Sequence, residues 1–139
     1  MPDWSETPPD AEDYVALRAA CGLSARSLAA ARTALPASLH AVTCREGVRL
    51  LGIGCVVGDG GCFVQLVDIA VHPDAQGRGV GRAITRRLVA WCEARLHPTC
   101  HIALVSSTRA VPLYAAEGFA ACRGMDRYAD PGRPSGMRG

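Results

Sequence analysis

One stretch constrains this chain more than any other: an apolar segment that runs into a glycine-rich loop and then into a helical pattern. Residues Phe63–Val71 carry Val64, Leu66, Val67, Ile69 and Val71, a nearly continuous apolar run that predicts a central strand buried on both faces. The chain continues Val71-His72-Pro73-Asp74-Ala75-Gln76-Gly77-Arg78-Gly79-Val80-Gly81. Residues 80–96 then place Val80, Ile84, Leu88 and Trp91 on one helical stripe, which His97-Pro98 ends. Glycines let the backbone come close to a ligand, and the first helical turn presents unpaired N–H groups backed by the positive end of the dipole. A phosphate or pyrophosphate suits that place. Arg78, Arg82 and Arg86 follow at four-residue spacing and add positive charge beside it. Taken alone, the same residues also describe a tight turn into a helix with a solvated basic face.

The rest of the chain reads as one α/β domain over residues 12–129, with flexible tails at 1–11 and 130–139. The first tail holds Pro2, Pro8 and Pro9 among acids and no run that could pack. Residues 13–18 have strand character, and Ser24 is placed to cap a helix over 25–34 that ends before Pro36. Residues 39–45 and 49–57 form a predicted hairpin about Glu46-Gly47, and Gly58-Asp59-Gly60-Gly61 turns the chain into the central strand. Residues 100–105 read as a further buried strand. Residues 106–108 cap a short helix over 109–117, with Pro112 tolerated in its first turn and Gly118 in the left-handed position after it. Residues 119–128 supply a last strand or hairpin arm. The expected architecture is a mixed, largely antiparallel central sheet flanked by helices.

Composition narrows the function. With 139 residues, 49% of them apolar and 20% charged, the chain has the make-up of a soluble globular domain. A net charge of +2 is too small to argue for nucleic acid or an anionic membrane surface. No apolar run approaches the roughly 20 residues of a membrane helix, and the acidic start does not resemble a signal peptide, so a cytoplasmic location is expected. Seven cysteines without a Cys-x-x-Cys pair or zinc spacing point to reduced thiols and no metal. Cys100 and His101, as strand neighbours, face opposite ways and form no dyad. All fifteen basic residues are arginine.

The pattern Val71-x-Pro73-x-x-Gln76-x-x-Gly79-x-Gly81 resembles the acetyl-CoA signature of the GNAT superfamily of N-acetyltransferases. Leu113-Tyr114-Ala115-Ala116-Glu117-Gly118-Phe119 resembles the Leu-Tyr-x-x-x-Gly-Phe segment that closes the same fold. The resemblance covers roughly residues 12–128 and implies splayed central strands, with pantetheine entering between the strand at Val71 and the strand at Leu104. It implies that Gln76, Gly77, Arg78, Gly79, Val80, Gly81 and Arg82 hold the pyrophosphate, and that the backbone at Ile69, Ala70 and Val71 meets the pantetheine and the thioester carbonyl. Tyr114 is the implied general acid. Asp68 interrupts the central strand, where a carboxylate is costly unless solvated or paired. It is therefore the candidate general base or substrate anchor, with a hydrogen bond to neighbouring backbone or an arginine ion pair as the structural alternatives. Many family members carry Asn where this chain has Ser106-Ser107, and Ser106 is the residue to replace that contact. The implied reaction is acetyl transfer from acetyl-CoA to a primary amine, with a small molecule favoured over a protein N-terminus or lysine. A homodimer is left open, and the absence of lysine excludes self-acetylation there. Two other classes compete: an acyl-CoA-binding module without chemistry, and a nucleotide-binding protein. The latter lacks both the dinucleotide glycine spacing and a Gly-Lys-Ser/Thr ending.

Overall fold

The predicted hairpin and the apolar run after it form the middle of a five-stranded sheet. β1 (Asp3–Ser5), β2 (His40–Glu46), β3 (Arg49–Gly58), β4 (Phe63–Val71) and β5 (His101–Ala103) lie in that spatial order. Successive pairs are antiparallel except β4 and β5, which run parallel. The computed structural model describes residues 2–135; Met1 and residues 136–139, at the ends of the two expected tails, lie outside the described residues. Two compact units divide the chain: residues 1–104 carry the whole sheet, and residues 105–139 carry the short C-terminal helix.

Within the first unit the sheet is covered on both faces. Ile53, fully buried, clusters with Tyr14, Leu17, Ala31 and Leu35 from the two N-terminal helices, α1 (Ala11–Ala20) and α2 (Leu28–Ala37). Its neighbours Gly52 and Gly54 point the other way, as strand alternation requires. They meet Ile84 and Leu88 of α3 (Val80–Arg95) so closely that a Cβ at Gly54 would lie 2.6 Å from Ile84 Cγ2. Glycine there brings the helix axis down onto the sheet.

Several expectations need correction. Residues 13–18 are helical, not extended. Asp10 accepts the Asp13 N–H at 2.8 Å as an N-cap, Glu12 and Asp13 suit the first turn, and Ala11, Tyr14, Leu17 and Arg18 share one buried stripe. The next helix starts three residues late, because Ser27 caps it while the Ser24 carbonyl is turned to Arg18; Pro36 then falls inside its last turn. Asp3–Ser5, assigned to a tail, pairs with β2, and Trp4 lies 4.3 Å from the Arg87 guanidinium. β4 is not buried on both sides: Val67, Ile69 and Val71 are half-exposed. β5 is three residues long and partly exposed rather than a buried strand over 100–105.

In the second unit a 3₁₀ turn (Thr108–Ala110) leads into α4 (Val111–Ala115), shorter than the expected 109–117. Pro112 sits in its first turn, and Gly118 has φ 91°, as expected. Residues 119–128 form no strand.

Candidate functional site

The site begins with a bulge. Across β3 and β4, Ile53 faces Ala70 and Cys55 faces Val67, so Gly54 alone opposes both Asp68 and Ile69. An extra residue twists the strand and re-aims its side chain. Asp68 takes it up with φ 57°, a left-handed conformation that Asp tolerates better than most residues. Its carboxylate is turned onto α1. Tyr14 Oη donates to Oδ2 at 2.7 Å, and Arg18 Nη1 donates to Oδ1 in an ion pair whose side chains are only 7% (Arg18) and 17% (Asp68) exposed. Arg18 also donates from Nε and Nη2 to the Ser24 carbonyl at 3.2 and 2.9 Å. Burial, helped by the bond to Asp68, pushes the Tyr14 phenol up to about 12. Of the roles left open for Asp68, the arginine ion pair is the one on display.

Beyond the bulge, β4 has an open edge. It pairs with β5 only at Phe63, Val64 and Gln65, and residues 66–71 have no β5 partner. The His72 N–H donates to the Leu51 carbonyl at 2.7 Å, so by antiparallel alternation Val71 turns its N–H and C=O toward that edge. The Val71 carbonyl is taken by Gln76 Nε2 and by Cys21 Sγ, each at 3.2 Å. Ala70 differs from expectation, since alternation points its backbone at Ile53 and its side chain lies in the core.

The loop after β4 is pinned at its start and open at its end. His72 Nδ1 accepts the Asp74 N–H at 3.1 Å, Arg49 pairs with Asp74, and Ala75 is fully buried. Gly77 and Gly79 then take φ 81° and 78°, and a Cβ at either would meet nothing within 4 Å. Gly79 is the residue before α3 and offers no side chain to its first turn, so Val80 and Gly81 open the helix uncapped. Arg78 does not share a helical face with Arg82 and Arg86. It belongs to the loop, donating to the Asp74 carbonyl at 3.0 Å and lying 3.9 Å from Glu46. Arg82 and Arg86 are exposed on α3.

A cleft of about 280 Å³ opens beside the bulge. Ala30 and Ala34 of α2 form one wall, Cys55 and Val57 of β3 with Val67 form the other, and Tyr14 and Asp68 lie at its polar end. Sequence reading missed this cleft along with Tyr14 and Arg18. The cap at Asp10 and the Ala11–Tyr14–Leu17–Arg18 spacing were the available signs.

In the second unit Tyr114 is half-buried on α4, its ring edge-to-face with Phe119 at 6.3 Å, and burial raises its phenol above the usual range. Ser106 Oγ donates to the Ser107 carbonyl at 2.6 Å. Among the described residues no cluster of His, Cys, Asp and Glu is arranged for a metal, and no helix is long and apolar enough to cross a membrane.

A bulged strand with one open edge thus runs into a glycine loop and an uncapped helix, within a mostly antiparallel sheet flanked by helices. Residues 37–121 match the acetyltransferase (GNAT) domain, and the chain belongs to the GNAT acetyltransferase family. A probable acetyltransferase from meticillin-resistant Staphylococcus aureus is 31% identical, with a TM-score of 0.84 over 99% of this chain and 98% of that one. The ribosomal-protein-S18-alanine N-acetyltransferase of Escherichia coli shares the fold at a TM-score of 0.72 and 22% identity, over 88% of this chain and 80% of that one. Serotonin N-acetyltransferase 2, chloroplastic, of Oryza sativa subsp. japonica is 41% identical over 75 residues, which is 51% of this chain and 36% of the rice protein. This chain therefore matches little more than a third of that relative's length.

The family uses acetyl-CoA as co-substrate, and the residues present fit it. The glycines leave open space at the loop, the first turn of α3 has N–H groups without a side-chain cap, and β4 leaves an edge unpaired in the sheet.

Proposed function

We propose that the protein is an acetyl-CoA-dependent N-acetyltransferase acting on a primary amine of low molecular weight. The observation that carries this reading is the uncapped N-terminus of α3 directly beside the open edge of β4, in a chain of this family. The name of the rice relative specifies a small amine, which supports a small acceptor here.

When bound, acetyl-CoA supplies an acyl group activated as a thioester. Gly77, Gly79 and Gly81 offer backbone N–H groups for its diphosphate, with Arg82 adding charge and Gln76 holding the loop against the end of β4. The Val71 N–H, on the open edge, is a donor for an amide or a developing oxyanion, and Ile69 lies on the same run. Ser106 is proposed as a polar contact for the cofactor. Tyr114 keeps its phenolic proton through the neutral range and is the group proposed to protonate the departing thiolate. Asp68 acts by position: with both oxygens engaged by Arg18 and Tyr14, it orients the end of the cleft, and the amine loses its proton to water.

Titration calorimetry with acetyl-CoA tests the reading. The wild-type protein is expected to bind at micromolar concentration, and Gly79→Glu to lose binding, because it places a carboxylate at the helix N-terminus and a side chain at φ 78°. Absence of binding by the wild-type protein at millimolar acetyl-CoA would overturn the proposal.

A further inference from the structure

We infer that the cleft under α2 selects the acceptor, and that it takes a primary amine carried on a compact apolar body, such as one ring, with no acidic group. This rests on the acetyl-transfer reading for the reaction, but not for the binding, which can be measured alone. The first ground is size. About 280 Å³ lies at the lower edge of the roughly 300–1,000 Å³ typical of small-molecule pockets, too little for several residues of a peptide.

The second ground is the lining. Ala31 and Leu35 on α2 are buried in the core, whereas Ala30 and Ala34, a helical turn apart, are exposed along the cleft. Truncation to alanine at those two places keeps the space open. Facing them, Cys55, Val57 and Val67 offer no hydrogen-bonding carboxylate or amide side chain, and the Ser38 hydroxyl, which also lines the cleft, donates to the Ala34 carbonyl at 3.4 Å, so the body that enters is mainly apolar.

The third ground is charge at the polar end. Asp68 is the carboxylate there, and its charge is already balanced by Arg18 while its second oxygen accepts from Tyr14. Arg26 stands at the rim, tied to Ser24 Oγ at 2.9 Å. An ammonium would therefore enter without a free counter-ion, and the neutral amine is the form the cleft accommodates. A carboxylated acceptor would meet an Arg26 already engaged with Ser24 and would have to bring its charge against the apolar wall. The polar end as a whole, not a free charge, sets which way the amine points, and Asp68 marks that end. It precedes Ile69 and Val71 on β4, so nitrogen held at this end lies next to the edge proposed for the thioester.

The test uses 2-phenylethylamine, phenylalanine, and short peptides with a free N-terminus or a lysine. Binding is followed by ligand-observed NMR and turnover by thiol release. Ala34→Phe fills the cleft, Ala30→Leu does so more mildly, and Ala29→Leu, on an exposed part of α2 outside the cleft, is the control. The wild-type protein is expected to bind 2-phenylethylamine in preference to phenylalanine. Ala34→Phe should raise the KM for 2-phenylethylamine about tenfold or more, with an unchanged melting temperature and unchanged acetyl-CoA affinity, and Ala29→Leu should match wild type. If Ala34→Phe does not fold, Ala30→Leu is expected to show the same loss in smaller measure. Unchanged amine binding in the filled variants, or a preference for phenylalanine or either peptide, overturns the inference. A wild-type protein that binds the amine in this cleft but not acetyl-CoA would sink the acetyl-transfer reading and leave the binding site standing.

Discussion

Asp68→Asn is expected to lower the unfolding free energy by about 3 kcal/mol, at the low end of the cost of breaking a buried ion pair. The reason is what the substitution strands. Arg18 has 7% of its side chain exposed, and in the variant its guanidinium keeps the Ser24 carbonyl but loses its counter-charge. Set against a typical total of roughly 5–15 kcal/mol, the loss is large. Urea denaturation with an unchanged m-value would measure it. A cost below about 1 kcal/mol would mean that the pair is solvated and contributes as little as a surface bridge. Adding Arg18→Met to the variant should recover most of the stability, because no charge is then left buried.

The same cluster carries a pH dependence with a definite sign. Tyr14 ionises at about 12 in the folded protein against an ordinary value near 10, so folding favours its neutral form. That contribution is fully present below pH 10 and is lost as pH rises through about 12. Tyr14→Phe should flatten stability against pH in that window. An unchanged alkaline limb would show that the phenol is neither buried nor held by Asp68 in the way the geometry implies.

Tyr114→Phe is expected to cut turnover by roughly 100- to 10,000-fold, the usual worth of a positioned acid, while leaving acetyl-CoA affinity near wild type. The ring is kept, so the edge-to-face contact with Phe119 survives and the fold of the second unit is not the variable. What disappears is one O–H. Calorimetry and thiol release on the same preparation would separate binding from chemistry. Turnover within threefold of wild type would remove Tyr114 from the reaction and leave it as a packing residue. A parallel loss of affinity would make it a binding group instead.

Much of this was legible in the residues, and the reasons are local. The strand Phe63–Val71, the start of the next helix at Val80 and the hairpin about Glu46-Gly47 each follow from nearest-neighbour chemistry: apolar runs, glycine at positive φ, and turn residues. The motif around Gln76 and Gly79 was enough to identify the family, because backbone recognition of a diphosphate depends on a few small residues close together in the chain. Residues 13–18 show where local reading stops. Tyr14-Val15 suggests a strand by propensity, yet the cap at Asp10 and the burial of Tyr14, Leu17 and Arg18 against Ile53 and Asp68 made a helix. Propensities differ by tenths of a kcal/mol per residue and lose to several kcal/mol of burial and pairing.

By itself, then, the sequence determined the family, the class of fold, the glycine loop that opens α3 and the kind of reaction to expect. Only the tertiary structure decided that Asp68 pairs with a residue 50 positions away, that Arg78 leaves the helical face for Asp74 and Glu46, and that Ala30 and Ala34 line a cleft. The division is physical. Phosphate loops and turns are built from adjacent residues, whereas an ion pair, a bulge and a cavity exist only between segments that folding brings together.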